Sequence, residues 1–354
     1  MKSLADKKIV ITGGTGSLGK VLLRRLLSGE QGKPRKIVVF SRDEAKQHQL
    51  RVEYMHKRTV TDEVIYRNFE QLLEFQIGDV RDLHSVANAL RGADVVFNAA
   101  ALKQVPACEY FPSEAISTNI GGAENIVRAI RDFRLPVDTV IGISTDKAVA
   151  PVNVMGMTKS LQERIFIRAN LDCPDTRFCV VRYGNVLASR GSVIPLFHDQ
   201  IKSGGPLTIT SPDMTRFLLS LDEAVDVIFA AVNGANRGET YIPRVRTAKI
   251  TDIATQLIGD RPIEVKVTGI RPGEKLHESL ISEEEAGRAF ARGNYYVIYP
   301  ILPELRRELN EGAPLSFEYS SANDVIDPAS VRQLLIDRQL TIDQNLELEG
   351  EFLR

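Results

Sequence analysis

Residues 9–19 read Ile9-Val10-Ile11-Thr12-Gly13-Gly14-Thr15-Gly16-Ser17-Leu18-Gly19. Three β-branched residues predict a buried strand, and leucines at helical spacing from Leu18 to Leu27 predict a helix straight after it. Between them, the Gly13-Gly14-x-Gly16-x-x-Gly19 pattern permits a tight turn whose backbone can approach a pyrophosphate, with the helix N-terminus favouring its charge. A glycine pattern alone is weak. Framed by strand and helix, it predicts a dinucleotide cradle contacted by Gly13, Thr15, Gly16, Ser17, Leu18 and Gly19.

Working outward, β-branched runs alternate with helical patterns. The expected order is strand Lys36–Phe40, helix Asp43–Met55, strand Leu72–Gly78, helix Leu83–Leu90 and strand Asp94–Asn98. A long helix around Ser113–Phe133 leads to strand Val140–Ile143, helix Asn153–Asn170 and strand Phe178–Arg182. This alternation predicts an α/β fold, a Rossmann-type doubly wound parallel sheet. After Tyr183-Gly184-Asn185 glycine and proline become frequent (Gly191, Pro195, Gly204-Gly205-Pro206, Pro212), as expected for a smaller C-terminal substrate-binding lobe. A helix at Asp222–Val232 and a strand at Thr240–Ile242 return to the sheet. The expected division is 1–183 and 220–245 for the dinucleotide-binding domain, with 184–219 and 246–354 forming the lobe and tail.

The second strand ends Ser41-Arg42-Asp43. An acidic residue at such a strand end holds the ribose 2′-hydroxyl of NAD, whereas Arg accommodates the 2′-phosphate of NADP. Arg42 arrives first, beside Ser41, and favours NADP; if Arg42 merely stacks over the adenine, NAD serves equally. Asp79 and Val80 are placed at the adenine, and the small Ala99, Ala100 and Ala101 allow close approach of backbone to cofactor.

The formal charge of −1 offers no field to gather nucleic acid or an anionic membrane, and the short run His56-Lys57-Arg58 reads as solvated surface. No apolar run approaches the ~20 residues of a membrane helix; the longest candidate, Ala224 to Val232, contains Asp226. The N-terminus lacks a signal-type apolar core, and three cysteines without C-x-x-C spacing fit a reduced, cytoplasmic setting. Five scattered histidines give no metal-ligand spacing, so no metal is expected.

The chemistry concentrates in Ser144-Thr145-Asp146-Lys147-Ala148 and, further on, Met155-Gly156-Met157-Thr158-Lys159. An acid and a potential base side by side at a strand end are what an elimination needs.

These residues resemble the extended short-chain dehydrogenase/reductase superfamily and, within it, the soluble UDP-N-acetylglucosamine 4,6-dehydratases of capsule and other polysaccharide pathways. The resemblance rests on Thr-Gly-Gly-Thr-Gly-Ser-Leu-Gly-Lys (12–20), Phe-Ser-Arg-Asp-Glu (40–44), Gly-Asp-Val-Arg-Asp (78–82), Ala-Ala-Leu-Lys-Gln-Val-Pro (100–106) and Ser-Thr-Asp-Lys-Ala (144–148). It extends through Arg-Tyr-Gly-Asn-Val (182–186), Ser-Arg-Gly-Ser-Val-Ile-Pro-Leu-Phe (189–197), Met-Thr-Arg-Phe (214–217) and Arg-Pro-Gly-Glu-Lys (271–275). One departure stands out: the tyrosine of the superfamily's Tyr-x-x-x-Lys pair is Met155 here, and a thioether cannot take a proton. A subset of these dehydratases also has methionine there, including enzymes that invert C5 and enzymes that retain it. The Tyr-Gly-Asn-Val-x-Ala-Ser-Arg-Gly wording (183–191) points to the inverting branch.

The resemblance implies three steps: oxidation at C4 of the sugar, elimination of water across C5 and C6, and return of hydride to C6. Thr145 would bond the 4-oxygen, with Lys159, Lys147 or water taking its proton. Lys147 would remove the C5 proton while Asp146 protonates the departing 6-hydroxyl. A lysine base needs its pKa lowered from ~10.4, and Lys103 and Lys159 are the expected cationic neighbours. Lys159 would also hold the nicotinamide ribose, and Lys103 would serve cofactor or sugar. At the UDP end Asn185 would reach phosphate, Val193 and Ile194 would flank the uracil, and Arg216 and Arg271 would meet the diphosphate, with Glu274 a weaker candidate. A homo-oligomer pairing through helices Ser113–Phe133 and Asn153–Asn170 is also implied. The rival readings are a nucleotide-sugar 4-epimerase, which needs no acid–base pair at C5 and C6, and a non-catalytic NADP-binding sensor.

Overall fold

The computed structural model describes residues 3–56, 72–187, 192–306 and 312–342. Lys57 and Arg58 of the basic run, and residues 188–191 of the Ser-Arg-Gly motif, lie outside these residues.

One nine-stranded sheet organises the chain. Its strands are β1 (Lys8–Thr12), β2 (Lys36–Ser41), β3 (Leu73–Ile77), β4 (Val95–Asn98), β5 (Thr139–Thr145), β6 (Arg177–Tyr183) and β9 (Thr240–Pro243), with the later β13 (Ala289–Arg292) and β14 (Tyr295–Ile298). The order β13-β14-β9-β6-β5-β4-β1-β2-β3 is parallel from β3 through β9. The 3-2-1-4-5-6 run is that of a doubly wound dinucleotide-binding sheet, whose ligands gather at the C-terminal strand ends.

The pleat explains why its strands read as unbroken apolar runs. Ile9, Ile11, Ile37, Val39, Phe97 and Ile141 face one side, packing with helices Ser17–Ser28 and Leu221–Gly234. Their neighbours Val10, Val38, Val96 and Val140 face the other, against helices Leu83–Leu90, Gly121–Asp132 and Val154–Asp172. The Leu221–Gly234 helix starts in a full capping box between Ser220 and Glu223, so its predicted return to the sheet is held at its first turn.

The lobe has its own core, in which Ile194, Phe197, Leu207, Ile209, Ile253, Leu257 and Val331 are buried together. It carries short pairs formed by β7 (Leu207–Ile209) with β11 (Val265–Val267), and β8 (Thr215–Phe217) with β10 (Thr247–Lys249). A third pair joins β12 (Ser279–Ile281) to β15 (Tyr319–Ser320). One difference from the sequence expectation concerns β13 and β14, which fall in the stretch placed with the lobe but extend the main sheet antiparallel beyond β9. The two-residue connection Gly293-Asn294 between Arg292 and Tyr295 is a hairpin signal, and Gly293 takes the left-handed φ of 59° that such a turn requires.

Candidate active site

The glycine turn is shaped by close packing. A Cβ on Gly13 would meet Ala100 Cα at 2.7 Å, and one on Gly19 would meet Gly14 Cα at 2.5 Å. The loop is therefore pressed onto the end of β4 and onto its own helix, and Gly13 N–H donates to Phe40 O across β2. Thr12 Oγ1 donates to Asn98 Oδ1 at 2.7 Å, tying the first and fourth strand ends together. The Ser17–Ser28 helix opens at Gly16 without a side-chain cap, which leaves its first amides to a ligand. A pyrophosphate fits that arrangement.

At the end of β2, Ser41 is buried and its hydroxyl accepts from Gln47 Nε2 at 2.9 Å. Arg42 is half exposed and pairs with Asp79 at 3.7 Å. Asp43, the nearby acid, accepts from the Lys46 amide at 3.0 Å, so its carboxylate is occupied at the start of the Glu44–His56 helix. Asp79 is held below the usual carboxylate range: burial pushes it up, but hydrogen bonds from Arg81 and the charges of Arg81 and Arg42 outweigh that. Val80 accepts from Asn125 Nδ2 through its carbonyl and packs on Gly122.

Beyond β5 the chain turns through Asp146–Ala148. Thr145 Oγ1 donates to Asp146 Oδ1 at 2.8 Å, and Lys147 Nζ lies 3.2 Å from the same oxygen. On its other side Lys147 Nζ meets Glu278 Oε1 at 3.1 Å. The side chains of Asp146 and Glu278 are 1% and 4% exposed against 23% for Lys147. Asp146 Oδ2 and Glu278 Oε2 are buried without a hydrogen-bond partner. The turn is clamped from outside, because Lys275 Nζ donates to Val149 O at 2.6 Å and a Cβ on Gly156 would strike Lys147 O at 2.1 Å.

These surroundings correct the expectation that cations lower the Lys147 pKa. Burial alone would pull it down, but the charges of Asp146 and Glu278 prevail and hold it above the ordinary 10.5. Glu278 is raised, first by burial and then by Asp146, against the opposing charges of Lys147 and Arg216. Sequence reasoning missed Glu278, which sits only three residues past the Arg-Pro-Gly-Glu-Lys motif.

The other lysine behaves differently. Lys159 Nζ donates to Ile143 O and Gln162 Oε1, both at 2.6 Å, beneath the end of β5. Burial lowers its pKa to about 8 against the charge of Glu163. Met155, in the tyrosine position, is packed with Cys108 and Ala115 in a small apolar cluster. Asn119 braces this region, accepting from Leu102 N and donating to Thr158 Oγ1. It stands in a π-helical turn, Ile116–Ile120, that interrupts the long predicted helix between Pro112–Ala115 and Gly121–Asp132.

A cleft of about 460 Å³ opens in front of the turn. Lys103, Asn185, Val193, Ile194, Arg216, Arg271 and Glu274 all line it, together with Lys147 and Glu278. Seven residues predicted for the substrate, spread over 172 positions of sequence from Lys103 to Glu274, thus share one wall system. Asn185 Oδ1 and Ser192 Oγ are buried without partners, so the cleft presents polar groups as well as an apolar slot. Arg216 is pinned by donating to the carbonyls of Thr215, Leu276 and Lys275, which fixes its guanidinium in the wall. Thr145, Asp146, Met155 and Lys159 are not among the residues that line it; Asp146 and Thr145 reach it through their contacts with Lys147 and with each other.

Comparison with known proteins gives a consistent picture. The chain matches the family described as "Polysaccharide biosynthesis protein" over residues 9–300. Proteins named UDP-glucose 4-epimerase from Rickettsia bellii and Rickettsia conorii are 45% identical over 310 residues, covering 86% of this chain and 85% of each relative. The X-ray structure of Pen from Bacillus thuringiensis superposes with a TM-score of 0.83 at 34% identity, covering 95% of this chain and 99% of that one. The dTDP-glucose 4,6-dehydratase DesIV from Streptomyces venezuelae, with a TM-score of 0.63 at 20% identity over 76% of this chain and 86% of that one, shares the fold.

Proposed function

The chain belongs to the polysaccharide biosynthesis protein family, and from that premise we propose that it is a UDP-N-acetylglucosamine 4,6-dehydratase of the C5-inverting kind. The observation that carries the reading is Lys147 Nζ, in the cleft wall between two buried carboxylates that each keep an unpartnered oxygen. A reaction confined to C4 moves only the 4-hydroxyl proton, which leaves Lys147 and one carboxylate without a task. When bound, a nicotinamide dinucleotide supplies the hydride acceptor for C4 and the donor for C6. NADP is the proposed form, because Arg42 stands half exposed at the β2 end in a long 3.7 Å pair with Asp79, while Asp43 is already engaged by the Lys46 amide.

The protein's own groups then manage protons. Thr145 Oγ1 already donates to Asp146, so the 4-hydroxyl proton can pass through Thr145 to Asp146 without a tyrosine. Asp146, thus protonated, gives that proton to the departing 6-hydroxyl as Lys147 takes the proton from C5. Lys159, with a pKa near 8, keeps its ammonium on the Ile143 carbonyl and supplies positive charge beneath the reacting carbon. Arg216 and Arg271 bind the diphosphate, Val193 and Ile194 flank the base, and Lys103, Asn185 and Glu274 complete the contacts. Pairing of two copies is proposed across the 112–132 and 154–172 helices, where Ile116, Met157 and Leu161 are exposed.

The second reading, a 4-epimerase, is favoured by the names of the 45%-identical relatives. Proton NMR with UDP-N-acetylglucosamine in D₂O separates the two. A 6-methyl signal with deuterium at C5 is the expected result, and its ring couplings report the C5 configuration. Formation of UDP-N-acetylgalactosamine with hydrogen kept at C5 would replace the dehydratase by the epimerase.

A further inference from the structure

We propose that Glu278 takes the Lys147 ammonium proton within the closed site and so converts that lysine into the base for C5. The inference rests on the dehydratase reading. A lysine held between two carboxylates is a poor base, because both neighbours stabilise its ammonium form. It becomes a base only if one of them accepts its proton.

The two carboxylates are not equivalent. Asp146 Oδ1 receives Thr145 Oγ1 as well as Lys147, so two donors stabilise its charge. Among the described residues, Lys147 is the one side-chain donor to the Glu278 carboxylate, and Oε2 has none. The backbone of Glu278 is fixed by Ser321, whose Oγ accepts from Glu278 N and whose N donates to Glu278 O, so the side chain starts from a held position beside Lys147. The charged groups that face it are Lys147, Asp146 and Arg216. Burial and the Asp146 charge both favour its neutral form.

The proton balance closes. Lys147 ammonium and Glu278 carboxylate become amine and carboxylic acid. The amine takes the C5 proton, the C5–H electron pair becomes the C5–C6 double bond, and the 6-oxygen leaves as water with the proton carried by Asp146. A solvent water on the face of the ring opposite Lys147 then protonates C5 as hydride arrives at C6, which inverts C5, and Glu278 releases its proton to solvent, restoring the ammonium–carboxylate pair. Glu278 therefore acts through Lys147 and need not touch the sugar.

The test follows C5 deuterium incorporation from UDP-N-acetylglucosamine in D₂O across pH in the cofactor-loaded protein. Wild type is expected to exchange at a rate nearly flat from about pH 7 to about pH 9, because the lysine proton has an internal acceptor. E278Q keeps the shape and loses the acceptor. Its exchange should fall about 100-fold at neutral pH, then climb up to about tenfold per pH unit as the lysine loses its proton to solvent instead. A loss equal at every pH marks Glu278 as structural and overturns the proposal, as does unchanged exchange. E278D retains a carboxyl and is expected to keep the flat profile even at a reduced rate; if E278Q fails to retain cofactor on gel filtration, a climbing profile in E278D overturns the proposal instead. Wild type that produces UDP-N-acetylgalactosamine with no C5 deuterium removes the dehydratase reading itself, a result distinct from any failure of Glu278.

Discussion

Two cations in this protein sit between pairs of carboxylates at adjacent strand ends, and they have opposite characters. Arg182 on β6 lies between Glu163 and Glu285; Lys147, just after β5, lies between Asp146 and Glu278. Each takes its second carboxylate from the same C-terminal stretch. In the arginine cluster every carboxylate oxygen has a donor: Arg182 Nε and Nη2 serve Glu163, and Nη1 and Nη2 serve Glu285. In the lysine cluster two buried oxygens have none. Saturation marks a group that holds the fold, and unmet hydrogen-bonding capacity marks one kept for chemistry.

The comparison is broken most severely at Arg182. R182M leaves Glu163 and Glu285 buried without their counter-ion and should cost about 3–5 kcal/mol, read by thermal or urea unfolding. Glu285 adds a pH signature. Its pKa falls from the ordinary 4.5 to about 2, since the charge and hydrogen bonds of Arg182 outweigh burial. A depressed carboxylate contributes stability that is present above 4.5 and lost as pH falls towards 2. The variant should lack that acid-labile component. An unfolding curve that keeps it would show that Arg182 is not its source.

At Lys147 the same operation should spare the fold and remove the activity. K147M is expected to lose at least about 100-fold in turnover while holding cofactor, and its stability should change far less than that of R182M, because Glu278, already raised by burial and the Asp146 charge, can take up a proton. If K147M unfolds as readily as R182M, the contrast between a structural and a chemical cluster fails.

Gly156 tests how tightly the turn is held. The 2.1 Å approach of an added Cβ to Lys147 O leaves no room, so G156A should cost about 1–3 kcal/mol and lower turnover by displacing Lys147. Equal stability and full turnover would mean that the turn can move without consequence.

Much of this was legible in the chain because its signals are local. The strand–glycine–helix run at 9–19, the alternation through Tyr183 and the Asp146-Lys147 pair each lie within a few residues. The residues assigned to the substrate, from Lys103 to Glu274, also fall along one cleft. The electrostatics of Lys147 were not, because its decisive neighbour arrives from 131 residues away, and nothing local in His277-Glu278-Ser279 distinguishes a buried carboxylate from a solvated one. The β13–β14 hairpin was missed for another reason: its Gly293-Asn294 turn is a local signal, but whether a hairpin joins the main sheet or the lobe is decided by β9, which it pairs with.

Met155 gives the smallest effect and the sharpest reading of what replaced the tyrosine. Its side chain is buried with Cys108 and Ala115, and the groups near the turn that can carry a proton include Thr145, Asp146, Lys147, Lys159 and Glu278. If methionine serves only to fill that space, M155L, which conserves volume and removes the sulfur, should cost less than about 1.5 kcal/mol and leave turnover within about twofold of wild type. M155Y restores the superfamily's residue but adds a ring and a hydroxyl to a closed apolar cluster, so it should lose stability by about 1–3 kcal/mol without raising turnover. A gain in turnover in M155Y would mean that the tyrosine hydroxyl still reaches the 4-oxygen, and the Thr145–Asp146 route would then be the auxiliary one. A loss of turnover in M155L at unchanged stability would place the thioether against the reacting groups, where packing alone could not account for it.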